Sequence, residues 1–328
     1  MNEWLDRIAG WLWAPFFNVA DPLRRIYWLY LLSALAIAAL VFLHGRRASG
    51  RASLRGFVAF IAPPQVFGHN SARLDYWFFY LNTAVFGLIL APLVAAPRVA
   101  AFVAHLLGSG APAPTSASPW WSAGLTIATL LAMDLALYIG HYLQHKIPFL
   151  WEFHKVHHSA EVLTPVTAFR VHPLDDLLTL SLTALFTGIV QGLLHVAVGT
   201  GISDMQVLGV NVLLFAWYLF GFHLRHSHVW LAYPQWLSHL LISPAQHQIH
   251  HSSAPRHFDR NMGFIFAFWD WIGGTLYVPK EREQLTYGLY GGESGEFRSV
   301  VALFIRPFFN LLARRPRPAR AAVRASSQ

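Results

Sequence analysis

Five stretches of the chain are apolar for long enough to be read as membrane spans: Ile26–Leu43, Tyr76–Ala96, Trp120–Gly140, Leu177–Val198 and Val207–Phe222. A helix that crosses a bilayer needs about 20 mostly apolar residues. The fourth stretch is interrupted by Gln191 and His195, and the fifth is short. Shorter apolar runs near Phe57–Ala62, Val99–Leu107 and Val300–Leu312 suit helices that lie in the interface. Met1–Asp21 sets Trp4, Leu5, Ile8, Leu12 and Phe16 at helical spacing, which predicts an interfacial helix. GSGAPAPTSASP, residues 108–119, reads as a loop on the outer side. The pattern predicts an all-α, multi-span transmembrane helical bundle of about four to five spans. Residues 1–25 form an interfacial N-terminal segment, 26–280 one membrane domain, and 281–328 a C-terminal segment. That last segment ends in RRPRPARAAVR, residues 314–324, expected to be a disordered basic tail at the membrane surface.

Composition supports the membrane reading. Of 328 residues 55% are hydrophobic and 12% charged, against about 25% charged in a soluble domain. The absence of cysteine excludes disulfides, thiolate metal sites and thiol nucleophiles. The N-terminus lacks the basic stretch, short apolar core and cleavage site of a removable signal peptide.

The net charge of +8 raises nucleic-acid binding. The basic residues form no patch interleaved with stacking aromatics, so no nucleic-acid partner is expected. With five alternating spans and the loop His44–Asp75 in the cytoplasm, all of the 24 Lys and Arg but Arg7, Arg24, Arg25 and Arg98 fall on the cytoplasmic side. That is the positive-inside pattern of an inner-membrane protein. The same topology puts a histidine-rich helical cap on the cytoplasmic side.

The cap carries the chemistry. WEFHKVHH, residues 151–158, and SPAQHQIHH, residues 243–251, both end in a histidine, two residues and two adjacent histidines. On a helix the positions i, i+3 and i+4 share a face. His154, His157 and His158 have that spacing, as do His247, His250 and His251, while His141 and His145 are an i, i+4 pair. Neutral imidazole ligates iron, copper, zinc and nickel. Eight clustered imidazoles without metal would leave ring nitrogens unsatisfied, and eight ligands are too many for one ion, so two metals are expected.

The order HxxxH, HxxHH, a long apolar hairpin and HxxHH resembles the fatty acid hydroxylase/sterol desaturase superfamily of integral-membrane di-iron enzymes. DLALYIGHYLQH, with Asp134 and Tyr138 before His141, looks like the family's first box. FRVHP at 169–173 is similar to its RxHP element, and RHSHV at 225–229 to its HSNV element, with His228 where asparagine is usual. HFDRNMGFIFAFWDWIGGTLYVP at 257–279 resembles its DxNYG…WD…FGT ending, with Met262 and Ile272 in place of the aromatics. GHNSARLDYWFFYLN at 68–82 looks like bacterial members. The resemblance covers roughly 70–280, and its departures bear on subfamily and substrate.

The resemblance implies that His141, His145, His154, His157, His158, His247, His250 and His251 hold two non-haem irons, with zinc able to substitute. His226 matches a further ligand of such proteins, and His223, three residues earlier, is a weaker metal candidate. His172, from RVHP, divides between ligand and a hydrogen-bonding role behind the ligands. Asp134, seven residues before His141, is expected to accept the proton of a ligand imidazole, against a helix-packing bond. Asp259 and Asn261 divide between support of the last box and turn chemistry. Asp175 and Asp176 are expected to cap the fourth span. His44, His69, His105, His195, His239 and His257 have no partner at ligand spacing and are expected to pack or cap.

The implied function is an oxygen-dependent oxidoreductase that hydroxylates or desaturates a lipid drawn from the bilayer: a sterol, fatty acyl chain or related substrate. The chain shows no haem-attachment, flavin, nicotinamide or iron–sulfur motif, so a separate electron donor of ferredoxin or cytochrome type is expected. The rival reading is a histidine-lined metal transporter, which would place ligands near mid-membrane. An intramembrane zinc hydrolase would need HExxH, which is absent.

Overall fold

The computed structural model describes residue 13 and residues 16–47, 53–89, 96–107, 118–198 and 203–313. Most of the expected N-terminal helix, the 108–117 loop and the basic tail lie outside them. The elements are α1 (Trp28–Arg47), α2 (Leu54–Ile61), α3 (Asn70–Ile89), α4 (Ala96–Leu106), α5 (Pro119–Lys146), α6 (Pro148–His158), α7 (Pro173–Val198), a two-stranded hairpin of β1 (Gln206–Val207) and β2 (Val210–Asn211), α8 (Val212–Leu219), α9 (Pro244–His250), α10 (Phe268–Ile272) and α11 (Val300–Leu312).

Among the described residues, three helices are long and apolar enough to cross a membrane: Trp28–Gly45 within α1, α5 and α7. The second predicted span is helical over Asn70–Ile89, and residues 90–95 lie outside the described chain. The fifth predicted span, Val207–Phe222, is corrected. Leu208 (φ 51°) and Gly209 (φ 79°) take left-handed conformations and close the β1–β2 hairpin with its Val207–Val210 register. Such a turn cannot sit inside a helix. The hairpin is pinned to α5, where Met205 N–H donates to Thr126 Oγ1 (2.7 Å) and Asn211 Nδ2 to the Thr126 carbonyl (3.0 Å). Asn211 then caps α8, accepting from Leu213 and Leu214 N–H. At 1.5 Å per residue α8 is only ~12 Å long, so the return toward the histidines is a short climb and no full crossing.

Helix α4 packs along α7, across Gly188 and Gly192, where an added Cβ would lie 2.5 Å from Val99 and 2.9 Å from the Ala100 carbonyl. That four-residue spacing of small residues lets two helices approach closely. Tyr27, Tyr30, Leu130, Trp217, Tyr218, Phe222 and Ile265 form one buried cluster. A second joins Phe78, Trp151, Val156, Leu289, Phe297 and Leu303, which docks α11 onto α3 and α6. The 281–312 segment thus shares a core with the histidine cap.

Arg25 differs from the alternating topology, which set it opposite the cap. It lines a cavity with His154, His157 and Asp176, because tight turns before α1, such as Trp28 N–H to the Val19 carbonyl (2.8 Å), fold it back toward α7.

Candidate metal centre

Four elements carry the histidines. Helix α5 ends at Lys146 because Pro148 forces Ile147 into extended backbone (φ −88°, ψ 119°) and then starts α6 at its first position. The kink brings His141 and His145 to His154, His157 and His158. Helix α9 has only seven residues and is held by side chains. Ser243 and Gln246 form a reciprocal capping box, with Pro244 at its first position. Gln246 Nε2 donates to the Ser238 carbonyl (3.0 Å), and Gln248 Nε2 to those of Leu224 and Val229 (both 2.9 Å). Gln248 thereby ties α9 to the 3-10 turn Phe222–His226, which supplies His226.

Nine histidines converge in two groups, and in each group one nitrogen per ring lies within 4.8 Å of the others. The first group is His141, His145, His154, His158 and His250; the second is His157, His226, His247 and His251. Each HxxHH box is therefore divided. His157 and His158 face different groups, as do His250 and His251.

In the second group His226 Nε2 lies 3.1 Å from His247 Nε2, 3.2 Å from His251 Nε2 and 3.3 Å from His157 Nε2. A ring nitrogen has one proton or one lone pair, so three contacts on one atom cannot all be hydrogen bonds. Four nitrogens bound at about 2.0–2.1 Å to one tetrahedral ion would stand ~3.4 Å apart, so the spacing fits a shared cation.

The first group fits by its tautomers. His141 Nδ1 donates to the Met262 carbonyl (2.8 Å) and His250 Nδ1 to the Arg260 carbonyl (2.7 Å). His154 Nδ1 meets Asp175 Oδ2 at 2.8 Å, and His145 Nδ1 lies 3.5 Å from Asp259 Oδ1. Carbonyls and carboxylates only accept, so in His141, His250 and His154 the proton sits on Nδ1 and the Nε2 lone pair faces inward. The Nε2 atoms of His141, His158 and His250 are buried without a hydrogen-bond partner among the described residues. Ring nitrogens facing one another in a dry site are suited to hold a cation.

Burial keeps the rings neutral. His157, His158, His226, His247, His250 and His251 are held well below the ordinary histidine range, first by desolvation. The nearby Arg225 guanidinium adds to this at His226 and His247. Arg225 is itself buried, which pushes its pKa down to about 10. Its Nη2 donates to His247 Nδ1 (2.9 Å), the reverse of the polarity at His141 and His250, so His247 Nε2 has to give up its proton to ligate an ion.

One loop organises these contacts. From Arg260 to Phe264 its carbonyls serve His250, His141 and Arg225, the last through Gly263 (3.2 Å) and Phe264 (2.7 Å). Its N–H groups go to two buried carboxylates. Asp270 accepts from Met262 and Gly263 (both 2.7 Å); Asp134 accepts from Ile265 (2.7 Å), Phe266 (3.0 Å) and Trp269 Nε1 (3.0 Å). An added Cβ at Gly263 would lie 2.8 Å from Asp270 Oδ2 and from the Phe266 carbonyl. Met262 meets His141 through its backbone carbonyl, a contact that any residue can make, so a methionine can stand there.

Several expectations change. Asp134 touches no imidazole: it lies ~10 Å along the helix from His141 and acts through the loop. Asp175 does not cap α7; it binds His154 and, by a short contact, Gln144 Nε2. His172 takes the cap instead, its Nδ1 accepting from Leu174 N–H (3.1 Å) while Nε2 donates to the Phe304 carbonyl (3.0 Å). His172 and His223 fall outside both groups. Asp259 reaches His145 at 3.5 Å and Lys146 Nζ at 3.0 Å. Asn261 supports α9 by donating to the Gln246 carbonyl (3.0 Å). His228 donates to the Phe60 carbonyl (2.6 Å). His44, His69, His105, His195, His239 and His257 join neither group. Sequence reasoning missed Gln246, Gln248 and Arg225, although the amides on either side of His247 were a visible signal.

Both groups border a cavity of about 270 Å³. His141, His154, His157, His226 and His247 form its floor, and apolar residues of α5 and α7 such as Met133, Leu137 and Leu180 form its walls.

Residues 126–275 match the fatty acid hydroxylase family model. Among characterised proteins the chain is similar to an alkylglycerol monooxygenase of Caenorhabditis elegans, 26% identical over 182 residues, or 54% of this chain and 32% of the relative. It is similar to the ornithine lipid hydroxylase OlsE of Rhizobium tropici, 25% identical over 187 residues, or 56% and 51% of the two chains. A rice very-long-chain aldehyde decarbonylase is 30% identical over 169 residues, covering 48% of this chain and 25% of the relative. The chain thus spans between a quarter and a half of the length of these relatives. No solved structure matches it.

Proposed function

Because the chain belongs to the fatty acid hydroxylase/sterol desaturase superfamily, we propose that it is an integral-membrane, oxygen-dependent oxidoreductase that hydroxylates or desaturates a lipid. The observation that carries this reading is the juxtaposition of two buried imidazole groups with an apolar cavity between two membrane-length helices. The nine histidines would hold two irons. The chemistry a pair of reduced irons supplies when bound is oxidation of an unactivated C–H bond by dioxygen.

The protein's own part is placement and exclusion of water. Leu137 on α5 and Leu180 on α7 present an apolar channel to a lipid chain entering from the bilayer. The Met262, Arg260 and Asp175 acceptors fix ring tautomers before substrate arrives. Hydroxylation balances as R–H + O₂ + 2e⁻ + 2H⁺ giving R–OH and H₂O. The two electrons come from a separate ferredoxin- or cytochrome-type donor, which the basic cap surface suits. The cap faces the cytoplasm of a bacterial inner membrane in this reading.

The test is metal content and Mössbauer spectroscopy of detergent-purified protein from iron-57-grown cells. About two irons per chain with a coupled signal is expected, and His154→Ala should insert in the membrane but lose lipid oxidation. Absence of metal binding after anaerobic reconstitution with ferrous iron overturns the proposal.

A further inference from the structure

A second cavity, of about 610 Å³, is lined by none of the nine histidines and has no part in the chemistry above. His69, Ser71, Arg73, Glu161, Arg170 and Arg298 are among its lining residues. Its polar groups are mostly donors. His69 Nδ1 accepts from Ser71 N–H (3.1 Å), which leaves the ring proton on Nε2. Ser71 Oγ accepts from Glu161 N–H (3.1 Å) and Arg170 Nη1 (2.9 Å), so both lone pairs are used and its hydrogen is left to donate. Arg170 is 2% exposed, and its Nε–H has no acceptor among the described residues. Arg73 and Arg298 stand exposed at the rim.

The charge balance narrows the ligand. Asp75 neutralises Arg170 at 3.0 Å, and Glu161 offsets one of the two rim arginines. About one positive charge remains, surrounded by neutral donors, which matches a monoanion rather than a dianion. The location narrows it further. Trp77, one turn beyond Arg73, is 65% exposed. Helix α11 begins two residues after Arg298 and exposes Val301, Ile305, Phe308, Phe309 and Leu312, which share one face. The cavity therefore opens where a cationic rim meets apolar surface, the setting of lipid headgroups.

We propose that this cavity binds the phosphodiester of a membrane phospholipid headgroup. The proposal goes beyond the oxidation chemistry and does not rest on it. Inorganic phosphate shares the chemistry, so the test separates the two sources. The full chain in non-ionic detergent is titrated with dioleoyl phosphatidylglycerol, with dioleoylglycerol and with sodium phosphate, and bound lipid is counted by native mass spectrometry. Wild type is compared with Arg73→Gln/Arg298→Gln and with Lys280→Gln/Arg282→Gln, which removes equal charge from another exposed site. Phosphatidylglycerol should bind one site that the first variant weakens roughly tenfold and the second leaves unchanged. Dioleoylglycerol should not fill the site, and phosphate should not displace the phospholipid at equal concentration. Equal weakening by both variants, or equal binding of dioleoylglycerol, overturns the site. Displacement by phosphate at equal concentration overturns the lipid as its occupant.

Discussion

The division of the histidine boxes makes a prediction that sequence order alone would not. Consider two double variants. His157→Ala/His158→Ala removes sequence neighbours, one from each group; His157→Ala/His251→Ala removes two members of the four-histidine group from different boxes. Structural sites with four ligands bind zinc with about 10–16 kcal/mol, or about 3 kcal/mol per ligand, which is roughly a hundredfold in affinity. The first variant leaves groups of four and three, each weakened at most about a hundredfold. The second leaves the five-histidine group whole and the other with two ligands, weakened by roughly 10⁴. Both lose two buried imidazoles, so cavity costs are comparable and their difference reports grouping. After reconstitution and brief desalting, metal analysis should give nearly two ions per chain for the neighbour variant and about one for the cross-box variant. Size-exclusion profiles in detergent check that both remain folded. Equal metal loss in the two variants, or two ions retained in the cross-box variant, would refute the partition.

Three further outcomes follow from the same geometry. Asp175→Asn should lower metal affinity or lipid turnover about 10- to 100-fold, because His154 loses a carboxylate at 2.8 Å; wild-type metal retention under chelator challenge would count against that role. Asp134→Ala leaves three donors of the 265–269 loop without an acceptor and should destabilise the protein by at least ~3 kcal/mol, read as a lower melting temperature; an unchanged melt would refute its bracing role. Metal-free protein should lose stability as pH falls below about 6.5, since His157, His158, His226, His247, His250 and His251 have folded pKa values below their unfolded ones. Their neutral, folded-state advantage is complete above the unfolded value and is lost below it, by up to ~1.4 kcal/mol per histidine per pH unit; a melting temperature that rises between pH 7.5 and 5.5 contradicts the burial argument.

The sequence determined the elements and the inventory of chemistry. Apolar runs gave α1, α5 and α7, because a span is a local property of about 20 residues. The i, i+3, i+4 spacing gave three histidine faces, and nine of the ten metal candidates stand in the two groups. Tertiary structure decided which ring serves which group. Neighbours such as His157 and His158 point in directions ~100° apart on a helix, so a compact motif divides once two helices and a turn surround it. It also decided the partners of buried polar groups. Asp134 was legible as a costly carboxylate within a span, but its acceptor role joins residues more than 130 positions apart. Asp175 looked like a local cap, and only the packing of α7 against α6 turns it onto His154. The hairpin at Leu208–Gly209 escaped the apolar count because hydropathy measures transfer from water and carries no information on backbone handedness. Local pattern fixes what each segment can form; the pairing of distant donors and acceptors is settled where the chain excludes water and each buried group must find its partner.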